Sequence, residues 1–178
     1  MRSSLVFVCA LLATTASAAE VRQLGPHVHG QANLQVALEG RELAVELASP
    51  GIGLLDFEHP PGDMAESGRL GAVMAALRNP QWLRFPVAAQ CRLRDADVGA
   101  VGYDRAGKDT DGPGQHHHAG FHARYGFACT HPERLDHVQV LLMQRFPGLH
   151  RVIVDIATPA GQDREEVDAA DPRVSLSS

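Results

Sequence analysis

Alternation of apolar and polar residues is the strongest pattern in the chain. Ala32, Leu34, Val36 and Leu38 alternate with polar residues, and Leu43, Val45 and Leu47 do so again after Glu39-Gly40-Arg41. Period-two alternation predicts a hairpin over Gln31 to Ala48 with one buried and one wet face. Pro50-Gly51 ends its second strand. Asp63-Met64-Ala65-Glu66 reads as a capping box opening a helix, with Leu70, Val73 and Leu77 at helical spacing and Asn79-Pro80 as its stop. Ala89, Cys91 and Leu93 begin a third strand, and Ala96, Val98 and Ala100 continue it in the other phase. A bulge near Asp95 reconciles the two halves. Phe121, Ala123, Tyr125, Phe127 and Cys129 alternate as a fourth strand.

Thr130 and Glu133 form a second capping box, and Leu135, Val138, Leu142 and Phe146 read as the apolar stripe of a second helix stopped by Pro147-Gly148. Val152, Val154 and Ile156 predict a fifth strand, and a short last one falls near Val174. Asp163 to Asp168 reads as an acidic tail. The predicted order is ββαβ–loop–βαβ(β), a single α+β domain with a mainly antiparallel sheet and two helices on one face. The loop, about residues 104–120, is rich in Gly, Asp and His and has no periodicity.

The first 18 residues read differently. Met1-Arg2, the apolar run Leu5 to Ala13 and Ala16-Ser17-Ala18 match the n-region, h-region and cleavage site of a secretory leader. The run is too short to span a bilayer as a helix. The expectation is a signal peptide over 1–18 and a mature chain over 19–178, periplasmic and without stable membrane insertion. Removing Arg2 changes the formal charge from −5 to −6. A nucleic-acid binder usually presents a basic face, so this charge argues against that class, and no nucleic-acid partner is expected. Cys91 and Cys129 are the cysteines left after cleavage. In an oxidising compartment such a pair reads as a disulfide, the alternative being two buried free thiols.

The chain holds 10 histidines, and their grouping carries the candidate chemistry. His27-Val28-His29 places two imidazoles on one side of an extended segment, a metal chelate or a polar tail. His116, His117 and His118 form a tract in the loop, with Asp109 and Asp111 upstream. Imidazole with carboxylate suits zinc, although imidazole by itself also serves copper and nickel. His122 lies on the polar phase of the fourth strand, so His27, His29 and His122 are expected on one outward face beside the tract. His59, between Glu58 and Pro60, is a further ligand or a loop histidine. His131 and His137, six residues apart on the predicted helix, fall on different faces. His150 shares phase with Val152 and reads as a partly buried strand-end residue.

Catalytic patterns are not visible: there is no H-E-x-x-H, G-x-S-x-G or C-x-x-C, and Glu58 beside His59 points away from it on an extended segment. The expectation is a protein that is not an enzyme. The competing reading is an envelope structural or protein-interaction module, with incidental histidines and an exposed sheet edge or acidic tail as its contact surface.

The run His27-Val28-His29-Gly30-Gln31-Ala32-Asn33-Leu34, followed by Ser49-Pro50 and Phe57-Glu58-His59, resembles the start of the ZrgA-type zinc-uptake family. The layout beyond it does too: Cys91, a His-rich loop, a strand reaching Cys129, then Leu135 to Pro147. The resemblance covers nearly all of the mature chain. It implies a periplasmic zinc-binding protein that assists zinc acquisition, delivering or buffering the ion for an ABC-type importer. It places metal on His27, His29, His116, His117 and His118, with His59 and His122 as further candidates. The tract departs from the family pattern, whose loops are often longer and richer in alternating His, Asp and Glu.

Overall fold

The computed structural model describes residues 30–104 and 119–176. The expected leader, His27, His29 and the tract His116 to His118 lie outside them. The hairpin is present as β1 (Gln31–Glu39) and β2 (Glu42–Pro50). Leu34, Val36, Leu43 and Val45 are all buried, while the residues between them are more exposed. A one-turn helix, α1 (Gly51–Leu54), follows at once. The capped helix is α2 (Met64–Arg78). The Asp63 carboxylate accepts the Glu66 N–H at 2.7 Å, and the Glu66 carboxylate accepts the Gly62 N–H at 2.7 Å. Such a cap contributes on the order of 1 kcal/mol.

After β3 (Leu83–Arg84), strands β4 (Cys91–Val101) and β5 (Gly120–Cys129), which precede and follow the His-rich segment in sequence, form the long antiparallel ladder. Its register shifts between Leu93 and Asp95, which is the bulge that reconciles the two phases of β4. Cys91 faces Cys129 at the far rung of this ladder, and the two form a disulfide.

The predicted second helix is absent. Its residues form a 3-10 turn at Pro132–Arg134, strand β6 (His137–Val140) and the one-turn helix α3 (Leu142–Arg145). Val138, Val140 and Leu142 are all fully buried, a period-two pattern that the helical spacing of Leu135, Val138 and Leu142 concealed. Pairing with β3 on one side and β9 (Arg173–Ser175) on the other supplies the hydrogen bonds that favour a strand. Asp163 to Asp168 is not a tail: all but its last residue lies in β8 (Gly161–Val167), paired antiparallel with β7 (Arg151–Thr158).

The main sheet has six strands in the order β4-β5-β2-β1-β7-β8, and β3-β6-β9 form a second sheet of three. The large sheet is mixed, because β1 and β7 run parallel while its other neighbours are antiparallel. The core lies on one face of the large sheet. Val73 and Leu77 of α2 are buried there, and the Tyr125 hydroxyl of β5 donates to the Leu77 carbonyl at 2.8 Å. Trp82 and Phe85 make edge contacts with Tyr125 and Phe127 at 5.8 and 4.8 Å. The opposite face is open and polar. None of the described helices is long and apolar enough to cross a membrane.

Candidate metal-binding end of the sheet

Strand directions bring the strand ends that adjoin the candidate segments in sequence to one end of the large sheet. β1 begins there at Gln31, beside Arg151 at the head of β7. β2 ends there at Pro50, opposite Gly120 at the head of β5, and β4 ends there at Val101, also opposite Gly120. His29 is bonded to Gly30, and His118 to Ala119, so both attach to the described fold at this end.

The Phe57-Glu58-His59 segment is fastened to the same end. Tyr103, just before the His-rich segment, donates its hydroxyl to the Phe57 carbonyl at 3.0 Å and packs edge-on against the Phe57 ring at 5.9 Å. Burial, then the charge of Glu58, pushes the Tyr103 phenol up to about 12, so it stays a donor. Glu58 accepts the Ile52 N–H at 3.0 Å. Its carboxylate therefore holds the turn after β2. The exposed His59 ring lies 5.0 Å from Phe57, and its Nδ1 is 3.0 Å from the Pro60 carbonyl. In the tautomer that donates this bond, Nε2 keeps its lone pair for a metal.

His122 is exposed on the polar face, as its phase in β5 predicts. Its ring lies across β4: a Cβ added at Gly99 would come within 2.2 Å of Cε1 and Nε2. Gly99 and Ala48 flank it on the neighbouring strands, and a depression of about 260 Å³ opens beside it, lined by Asn33, Gln35, Glu46 and Arg124 among others. Glu46 and Arg124 lie 3.8 Å apart and offset each other's charge.

His150 departs from its expected partial burial. It is exposed, one residue before β7, and its N–H donates to the Gly30 carbonyl at 2.7 Å. Its ring rests on Gly30, where an added Cβ would be 2.5 Å from Cδ2. Gly30 also has φ +75, a conformation that favours glycine. The glycine of the H-x-H-G start thus seats an imidazole from a distant part of the chain. Gly30→Ala is expected to cost about 1–3 kcal/mol through strain and contact and to displace the His150 ring. Urea denaturation with NMR of the imidazole protons checks both; an unmoved ring at wild-type stability would refute the seat.

Neither ring nitrogen of His122 or His150 has a hydrogen-bond partner among the described residues. The two rings occupy separate places. One lies over β4 and the other at the head of β1, three strands across the sheet, or about 14 Å at the usual strand spacing. Zinc–nitrogen bonds of about 2 Å cannot bridge that gap, so one ion does not take both rings. The remaining histidines stand elsewhere. His131 follows the opposite end of β5, 3.4 Å from Glu133, and His137 lies on β6 with Nδ1 bonded to the Asp136 carboxylate. Neither sits on a helix. Among the described residues, no three His, Cys, Asp or Glu side chains gather as a metal cage.

The model of one protein family, described as ZrgA family zinc uptake protein, matches residues 26–176. No curated protein matches the chain.

Proposed function

Because the chain belongs to the ZrgA family of zinc uptake proteins, we propose that it is a non-catalytic periplasmic zinc-binding protein that assists zinc acquisition. It delivers or buffers zinc for an ABC-type importer. The observation that supports this reading is that β1, β4 and β5 bring the ends that adjoin the histidine-bearing segments in sequence to one end of the sheet. His27, His29, His59, His116, His117, His118 and His122 are the proposed ligands. Imidazole and carboxylate donors suit zinc, and copper or nickel would compete for the same nitrogens.

The open polar face and the attachment of both outlying segments at one edge support release as well as capture. An ion held there exchanges with a partner without opening the core. Calorimetric titration of the metal-free mature protein with zinc tests the reading. Binding at micromolar zinc is expected, weakened when His116, His117 and His118 are all replaced by alanine. No heat of binding in the wild-type protein at that concentration would end this reading.

A further inference from the structure

A second pairing of imidazole and carboxylate stands apart from the ligands proposed above. His150 and Asp168 line one depression of about 440 Å³, with Met143, Pro147 and Leu149 on its walls. The end of the β7–β8 ladder places their backbones near each other. Val152 pairs with Val167, so His150 leaves the ladder two residues before that rung and Asp168 one residue after its partner. At ordinary antiparallel spacing this brings their backbones within about 5–8 Å.

Both side chains are available. Gly30 seats the His150 ring, and its nitrogens are unpartnered among the described residues. Oδ1 of Asp168 accepts the N–H groups of Ala170 and Asp171, each at 2.8 Å, and those bonds hold the carboxyl below its usual range. Oδ2 accepts no hydrogen bond from the described residues. The neighbouring cation, Arg151, is engaged by Glu166 at 3.2 Å, which leaves the Asp168 charge for another partner.

We propose that His150 and Asp168 form a separate binding point for a divalent metal of zinc's class, with one imidazole nitrogen, one carboxylate oxygen and water in the other positions. The proposal rests on the reading of the chain as a zinc binder. An ion at the depression is held by two protein ligands and keeps open positions, a geometry suited to passing it on.

The test uses zinc alone as the probe and the full mature chain. In a variant with His27, His29, His59, His116, His117, His118 and His122 all replaced by alanine, the His150 ring signals, assigned through His150→Gln, are followed by NMR as zinc is added. A saturable shift of His150 is expected, with affinity reduced roughly tenfold or more by Asp168→Asn. That substitution keeps an oxygen to accept the Ala170 and Asp171 N–H groups, so the turn survives. Signals of His150 that stay fixed at millimolar zinc, or a shift indifferent to Asp168→Asn, would overturn the proposal. Wild-type protein titrated in parallel separates the two readings. Zinc binding there with a silent His150 refutes the second point alone, and no binding at all refutes both.

Discussion

Replacing Cys91 and Cys129 together by alanine lowers stability by about 4 kcal/mol on the chain-entropy account of cross-links. The bond joins residues 38 apart in sequence, so the unfolded chain without it regains the freedom of a long loop. For a domain of this size that loss corresponds to a fall in melting temperature of roughly 10–15 °C. Zinc affinity should respond far less. The disulfide closes the rung Cys91–Cys129, whereas the His-rich segment leaves and rejoins the ladder at Val101 and Gly120. Nine residues of strand separate the two ends of β5, about 30 Å. Thermal and urea unfolding of the variant, beside a zinc titration below its melting point, measure both effects. A stability loss under about 1 kcal/mol would show that the ladder holds its register without the cross-link.

Strands with one buried face were legible because burial imposes alternation, and β1, β2, β5 and β7 carry it plainly. The bulge in β4 was legible for the same reason, as a change of phase. Strand β6 was not, because four residues give too few periods to separate 2.0 from 3.6. Its partners, Leu83–Arg84 and Arg173–Ser175, lie far away in the sequence. Strand β8 was hidden by the opposite cause. It is an edge strand exposed along most of its length, so nothing forces alternation, and its charges resemble a solvated tail. Cross-strand pairs account for those charges: Arg164 meets Asp155 at 2.8 Å, and Glu166 meets Arg151 at 3.2 Å. The parallel junction of β1 and β7 has no local signature, since it depends on a return from more than half the chain away.

The same division runs through the candidate site. His122 was legible from phase alone, but its ring position depends on Gly99, a residue on the next strand. His150 was misjudged by phase because it lies outside the ladder, where alternation no longer governs. Its neighbour is Gly30, whose missing Cβ gives no signal of what rests on it. Glu58, adjacent to His59 in sequence, turned out to serve the backbone of Ile52. Sequence adjacency marks the partners of the described histidines poorly, because those partners are set by sheet order.

Acidification from pH 7 to pH 5 should release the zinc. A proton and a metal ion compete for one imidazole lone pair, so binding requires neutral histidine. Free histidine titrates near ~6.5, and at pH 5 roughly 30 protonated rings stand for each neutral one on that value. Each imidazole ligand therefore weakens binding about 25-fold over this interval. Two ligands give a loss of several hundredfold and three a loss of about ten-thousandfold. Carboxylate ligands are already ionised throughout and contribute little. The slope of log affinity against pH below 6 thus counts the histidines on the ion. A site such as that proposed at His150 and Asp168 should show a slope near one, and a site built from several imidazoles a slope near two or three. Competition titrations with a zinc indicator at four pH values distinguish these cases. A slope near zero would mean that the ion is held by oxygen ligands, and that the histidines at this end of the sheet are not its ligands.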